Sequence, residues 1–539
     1  MQKIIFSLFV SITLIVSLSG CSDIDSKSYI NKTVVLDKPG SLANALFLTN
    51  LAGINTLKIS GKMDCRDFKT IRDHMTELLE LDLSNVTIEY YKGYEGTGGA
   101  EIYEYYANTL PIYAFYNSLK VSSLTSLNKI TLPQNLKSIG SSAFTGCTGL
   151  TLVDFPADLK NIGDRSFARC SALSNTLTIP SKVDSIGYSA FAFCTALTAL
   201  QLSDSLLFIG ESAFNGCSAL SGTLNLPSKL ITIEDYAFAN CSGLTAVNIP
   251  ASVTSFLDYN AYPVFQNCVC PINVATDNLN LSSVDGVLFD YSQSTIIYFP
   301  PSKTGNYDIP VSVSSIGYGA FSNCKNLTSL TIPASIIAIG DYAFYNCSGL
   351  TGTFSIPNSV FAIGLYAFDG CNKITEFNVT SDNINFCSVN GVIFSIPQTP
   401  NSPDDNTPQV SSLVQFPAAK SGTYEIPSTV NHLTNTYPVE SISPGAFIDC
   451  TLLTSVSIPA SVNSIGNRAF MNCTNLNQIR SNSTTPDILI NNDFRKTISY
   501  SVFDNINKKN CMLLVPIGSE GTYRNSGQWS DFRNISGIF

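Results

Sequence analysis

The chain has 539 residues, 44% of them apolar and only 13% charged, which excludes a disordered chain and leaves ample material for a core, in several domains or one long repeat array. With 30 basic and 40 acidic residues its formal net charge is −10. That balance argues against sequence-independent binding to nucleic acid, because no basic stripe is left to displace phosphate counterions.

In chain order, Met1-Gln2-Lys3 precedes a mostly apolar run from Ile4 to Leu18, then Ser19-Gly20-Cys21, the pattern of an export signal peptide over residues 1–20. Leu18-Ser19-Gly20-Cys21 resembles the lipobox of bacterial lipoproteins. That resemblance implies cleavage before Cys21 and acylation of Cys21, and several acyl chains anchor a protein stably. Ser22-Asp23-Ile24-Asp25 is similar to the acidic signals that send lipoproteins of gut and oral Gram-negative anaerobes to the outer face of the outer membrane. Residues 21–32 read as a tether. No other segment reaches the roughly 20 apolar residues of a membrane-spanning helix, so the expected membrane contact is the lipid alone.

Residues 33 to about 125 read as an N-terminal cap with the first repeats. Ile54-x-x-Leu57-x-Ile59 and Leu78-x-x-Leu81-x-Leu83 are strand patterns, and Phe68, Ile71, Met75, Leu78 and Leu79 are spaced for an amphipathic helix between them. Tyr90, Tyr91, Tyr94, Tyr103, Tyr105 and Tyr106 crowd a polar, Gly-containing stretch from Thr87 to Asn108. They are candidate ligand contacts, since Tyr is favoured at binding surfaces, or else packing over the cap. Ala114-Phe115, with Ser118 in the cysteine's place, reads as a degenerate first unit of the Phe–Cys repeat.

Residues 126–480 repeat every 23 or 24 positions. Phe144, Phe167, Phe191, Phe214, Phe238, Phe265, Phe321, Phe344, Phe368, Phe447 and Phe470 are each followed three residues later by a cysteine: Cys147, Cys170, Cys194, Cys217, Cys241, Cys268, Cys324, Cys347, Cys371, Cys450 and Cys473. One unit runs from Leu327 to Cys347, LTSLTIPASIIAIGDYAFYNC. Leu327-x-x-Leu330-x-Ile332 has the L-x-x-L-x-L form of a leucine-rich-repeat strand, Pro333 ends it, and Ile339-Gly340 marks a second short extended piece. Ala343-Phe344 to Cys347 reads as a single helical or 3₁₀ turn that points Phe and Cys to one side. Where a unit is one residue longer, Asn175, Gly222 or Gly352 is placed to absorb it by positive φ.

Two Phe-to-Phe intervals are too long and mark inserts near 269–310 and 375–430. Ser283-Val-Asp-Gly-Val-Leu-Phe289 matches Ser388-Val-Asn-Gly-Val-Ile-Phe394, and Asp-Gly or Asn-Gly between apolar residues predicts a hairpin in each. The unit before Phe265 carries Tyr259 and Tyr262, two further candidate contacts, and Pro397 to Pro408 reads as a mobile loop. Residues 481–539, with Tyr523, Trp529, Phe532 and Ile535, read as a C-terminal cap.

These units resemble the BspA-like leucine-rich-repeat family of bacterial cell-surface proteins over nearly everything after residue 50. The resemblance implies a curved, right-handed, strand-dominated leucine-rich-repeat solenoid with one parallel strand ladder, capped at both ends, and a role in adhesion or ligand binding. The expected partner is an extracellular protein or glycan, with no nucleic acid.

No catalytic, cofactor or metal constellation is legible. The ladder thiols read as small buried core groups, and equal positions along a ladder do not converge on zinc. Only His74 and His432 are present, without a supporting motif. The expected function is therefore non-enzymatic surface recognition of host or neighbouring-cell macromolecules. The alternatives are a glycan-capture accessory or hydrolase for nutrient uptake, and a structural surface-layer component. On the strands, Thr131, Asp154, Thr178, Gln201, Asn225, Asn248, Thr331, Ser355, Asn378 and Ser457 should point away from the core, a polar face without Trp, Tyr or Arg.

Overall fold

The computed structural model describes residues 29–47, 50–99, 101–254, 263–397, 410–486 and 501–538. Each repeat makes one coil with three sides. The first side is the expected parallel ladder. It starts with Ile30–Leu36, Ile54–Met63, Glu80–Ile88, Lys129–Thr131 and Leu152–Asp154 and ends with Gln478–Ser481, Met512–Val515 and Asn534–Gly537. Asn175, Gly222 and Gly352 have φ of 69°, 78° and 75°, and the register shifts at each, so the extra residue is absorbed where the longer units place it. Gly305 and Gly422 do the same inside the inserts.

The short extended pieces form a second parallel ladder. Ser138–Ile139, Asn161–Ile162, Ser185–Ile186, Phe208–Ile209 and Thr232–Ile233 pair in sequence, each burying its isoleucine. The third side refines the expected helical turn. Ala143, Thr145 and Cys147 donate their N–H three residues back, to Gly140, Ser142 and Phe144, whereas Ser142, Phe144 and Gly146 donate to Asp164, Ser166 and Ala168 of the next coil. Left-handed residues such as Ser142 and Gly146 turn alternate amides outward, so this side hydrogen-bonds between coils like a sheet.

Inside, the phenylalanines stack. Neighbouring rings from Phe144 to Phe238 lie 4.8–5.3 Å apart and within 11° of parallel. The row extends beyond the Phe–Cys pairs: Phe115 stacks on Phe144 at 4.9 Å, Phe299 on Phe321 at 4.8 Å, Phe416 on Phe447 at 4.9 Å and Phe503 on Phe470 at 5.8 Å. Thus each insert keeps one rung, Phe299 or Phe416, without a cysteine.

The two expected hairpins pair Leu281–Val284 with Val287–Asp290 and Phe386–Val389 with Val392–Ser395, through turns whose Asp285-Gly286 and Asn390-Gly391 all have positive φ. Val287, Leu288 and Phe289 are all buried, as are Val392, Ile393 and Phe394, so both faces of each outgoing strand are covered. Leu288 packs with the preceding coils and Val287 and Phe289 with the following ones; Ile393 against Val392 and Phe394 repeats this parity. Each hairpin is an internal wall, dividing the core into three stretches. Buried Asn278 and Asn383 hold the walls alike. The amide of each donates to two carbonyls of the coil before it, Pro250 and Val253 or Pro357 and Val360, and its oxygen accepts the two backbone N–H groups that lead into the hairpin, those of Asn280 and Leu281 or Asn385 and Phe386.

Two boundaries differ from expectation. The first strand begins at Ile30, inside the stretch read as tether. The cap helix is Cys65–His74, opened by a capping box on Asp64, so Met75 and Leu78 are buried just beyond it rather than on its face. At the other end Tyr523, Trp529 and Phe532 close the core, and the Tyr523 hydroxyl meets Ser481 Oγ at 2.6 Å.

Candidate functional site: a tyrosine hairpin on the N-terminal cap

The repeated residues are structural. Every Phe and Cys of the ladder named above is buried. The thiol makes a specific contact, since Sγ of Cys170, Cys194, Cys217, Cys241 and Cys268 lies 3.2–3.3 Å from the carbonyl oxygen of Phe144, Phe167, Phe191, Phe214 and Phe238, one coil earlier. That carbonyl already accepts the backbone N–H of its own coil's cysteine, so the thiol satisfies its second lone pair. Fifteen cysteines are free thiols among the described residues, and burial pushes those of Cys147 and Cys217 up to about 12. Such thiols are poor nucleophiles.

The outward strand residues keep to one face, and none of the ten is buried. Several satisfy one another: Asn248 donates to Asn225 at 2.7 Å, Asn273 to Asn248 at 3.0 Å, and Thr178 to Gln201 at 3.1 Å. A row that bonds to itself offers few open donors.

The Tyr-rich stretch is built differently. Tyr91–Gly93 and Tyr103–Tyr105 pair antiparallel, with Tyr91 opposite Tyr105 and Gly93 opposite Tyr103. Alternation along the strands then sorts the tyrosines onto two faces. Tyr91, Tyr103 and Tyr105 form the inner set, their rings 6.2 Å apart in sequence, and Tyr105 is only 6% exposed. The Arg66 guanidinium sits 4.6 Å over the Tyr91 ring, and Gly98 N donates to Tyr105 Oη at 2.7 Å. Gly96 and Gly98 lie against the Tyr105 and Tyr103 rings with no room for a Cβ.

Tyr90, Tyr94 and Tyr106 form the outer set, 51%, 61% and 63% exposed. Tyr90 Oη donates to Glu104 at 2.8 Å across the face. Ile102 of the hairpin is exposed too, as are Leu119 and Val121 of the next small hairpin, Tyr116–Asn117 with Ser122–Ser123. These aliphatic neighbours have no repeat signal to mark them in sequence.

What fixes this surface is a buried cation. Arg72, on the cap helix, donates Nη1 to the carbonyls of Thr97 and Tyr113 at 2.8 and 3.1 Å and pairs Nε with Asp73 at 2.8 Å. Asp73 also holds Lys69 at 2.6 Å and Asn117 Nδ2 at 2.9 Å. Burial alone would raise the Asp73 carboxyl, but Arg72 and Lys69 outweigh it and hold it well below the usual carboxylate range. The excursion is thus bolted to the helix at both hairpins.

An open cleft of about 490 Å³ lies at the second insert, lined by Phe361, Ile384, Asn385, Phe386, Ser395 and Ile396. Pro397 leads on from it; residues 398–409, with most of the expected mobile loop, lie outside the described residues, as do Cys21, Tyr259 and Tyr262. Among the described residues no group of three or more His, Cys, Asp and Glu is placed to hold a metal, and no helix is long and apolar enough to cross a membrane.

The model of the BspA-type leucine-rich repeat region matches residues 108–223, 221–305, 298–392 and 440–513, well over half of the chain. The chain belongs to this family. Solved structures similar to this BspA-type repeat protein are leucine-rich-repeat proteins from Eubacterium ventriosum (22% identity, 74% of this chain and 88% of that one, TM-score 0.45) and Bacteroides ovatus (20%, 75% and 86%, TM-score 0.37). A third is a leucine-rich cell-surface protein from Faecalibacterium prausnitzii (21%, 82% and 86%, TM-score 0.28). No curated protein is similar to it in sequence.

Proposed function

We propose that this BspA-type protein is a non-enzymatic recognition protein of the cell surface, in which the repeat array is a scaffold and the N-terminal tyrosine hairpin contacts an extracellular protein. The observation that carries this reading is the sorting of the tyrosines: Tyr90, Tyr94 and Tyr106 stand exposed on one face of a hairpin whose other face is packed. Tyr supplies large contact area at low side-chain entropy cost, which suits it to interface hot spots. Exposed Ile102, Leu119 and Val121 beside it favour a protein over a glycan, since aliphatic side chains bury well against protein and offer a sugar neither a ring face nor a hydrogen bond.

The test is a protein and glycan array followed by titration of the ligand it yields. Replacing Tyr90, Tyr94 and Tyr106 together with alanine should weaken binding at least tenfold, while replacing Asn225, Asn248 and Thr331 should change it less than threefold, as for rim positions. The opposite ranking, in folded variants, moves the site to the sheet face.

The proposed location rests on two sequence resemblances: the lipobox-like Leu18-Ser19-Gly20-Cys21 supports an acylated Cys21, and the acidic Ser22-Asp23-Ile24-Asp25 after it supports an outer-membrane anchor with the solenoid outside. Cys21→Ala is expected to shift the protein from the detergent phase to the aqueous phase without changing the fold of the repeats. Retention of the variant in the detergent phase refutes the anchor.

A further inference from the structure

A row of asparagines runs along the turn side. Asn240 Nδ2 donates to Asn215 Oδ1 at 2.8 Å, Asn267 to Asn240 at 2.7 Å, and Asn346 to Asn323 at 2.7 Å. Asn323 donates to Asn267, 56 residues away, so the first insert does not break the row. Beyond the second insert it resumes: Asn472 donates to Asp449 Oδ1 at 2.6 Å and Asn505 to Asn472 at 2.7 Å. In each bond the later coil supplies the N–H and the earlier one the oxygen.

Asp369 follows the first run and Asp449 opens the second. Their register matches that of Asn215 and Asn240. Asn215 and Asp369 each follow a ladder phenylalanine directly and precede a left-handed glycine, Gly216 at φ 78° or Gly370 at φ 76°; Asn240 and Asp449 lie two residues after theirs. Where Asn240 gives Asn215 an amide N–H, Asp449 brings a second acceptor. Asp369 is 3% exposed and its Oδ1 has no hydrogen-bond partner among the described residues, a costly state for a buried charge.

We propose that Asp369 keeps a proton at neutral pH and donates it to the Asp449 carboxylate in place of the missing amide N–H, so that a proton closes the joint between the middle and C-terminal stretches of the solenoid. The groups around Asp369 agree. Burial first, then the charge of Asp449, push its carboxyl up to about 8, while Arg468 pulls the other way. Arg468 lies 5.9 Å over the Tyr366 ring. Of the other groups that face it, Tyr342 is pushed up to about 12 by burial and neighbouring Tyr366, and burial raises Cys371 and Cys450 far above neutrality. None of these three titrates in the same window.

Because the folded state holds this proton more tightly than the unfolded chain, the stabilisation is complete below the ordinary carboxylate pKa and is lost as pH rises through about 8. Thermal unfolding of the full chain between about pH 6 and pH 9.5 tests it. Wild type should lose melting temperature across that range. Asp369→Asn, which carries its own N–H, should flatten the profile and melt higher than wild type at the alkaline end. Asp449→Asn restores a donor from the other side and should flatten it as well. An unchanged slope in both variants overturns the proposal. Infrared spectroscopy gives an independent reading. A protonated-carboxyl band should be present in wild type at neutral pH, vanish in alkali and be missing from Asp369→Asn; its absence from wild type at neutral pH also overturns the proposal.

Discussion

Phe344→Ala is expected to cost about 3–5 kcal/mol, the range for a fully buried aromatic truncated where the surroundings cannot collapse. The ring is sandwiched between Phe321 at 5.2 Å and Phe368 at 5.5 Å and meets Phe354 edge-on at 5.3 Å, so its loss removes three aromatic contacts and leaves a void in the row. Backbone ladders on all three sides fix the coil spacing and prevent closure of the gap. The damage should fall on the middle stretch between the hairpin walls, because coils touch only their neighbours and each wall covers its stretch on both faces. Native-state hydrogen exchange of peptides from residues 327–371 measures it. A loss below about 1 kcal/mol there means that the phenylalanine row contributes little to stability.

Arg72→Ala is expected to cost about 2–3 kcal/mol in the N-terminal cap, below the range for an uncompensated buried charge because Asp73 keeps one of its two cations. Arg72 is 5% exposed in its side chain and satisfies the carbonyls of Thr97, in the tyrosine hairpin, and Tyr113, just before the next one, so its removal leaves Asp73 with only Lys69 and Asn117 and loosens both excursions from the helix. Arg72→Lys should recover little, because one ammonium cannot reproduce the fork that reaches Asp73, Thr97 and Tyr113 together. The pH dependence has a definite sign. The Asp73 carboxyl is held low, so its contribution is present above the ordinary carboxylate pKa and lost only in strong acid, and Arg72→Ala should bring that acid transition nearer to neutral. The binding proposed for Tyr90, Tyr94 and Tyr106 should fall in this variant although none of the three is altered. A variant with unchanged exchange protection in residues 90–117 contradicts this role.

The period, the ladder and the inserts were legible because they rest on side-chain chemistry repeated at fixed spacing. The second short extended piece was marked by Ile339-Gly340, but its pairing from coil to coil into a second ladder was not legible, since two-residue strands carry no alternation. Phe299, Phe416 and Phe503 were missed as rungs because the cysteine that flags a rung is missing from them. The reason for cysteine itself lies between coils, in a thiol meeting a carbonyl one repeat back, which no single unit displays. The sorting of tyrosines was present in the alternation of Tyr90-Tyr91-Lys92-Gly93-Tyr94, but reading it needed the hairpin register that pairs Tyr91 with Tyr105. The walls were half visible: Val-Leu-Phe and Val-Ile-Phe are runs of three apolar residues, the mark of a strand buried on both faces.

The division between a structural array and a recognition surface on the cap is tested most directly by hydrogen-exchange footprinting of the intact protein with and without the ligand found on the array. Protection confined to residues 90–106 and 116–123 is the result this account predicts. Protection running along the outward strand positions at Thr178, Gln201, Asn225 and Asn248, with the hairpin unchanged, contradicts it.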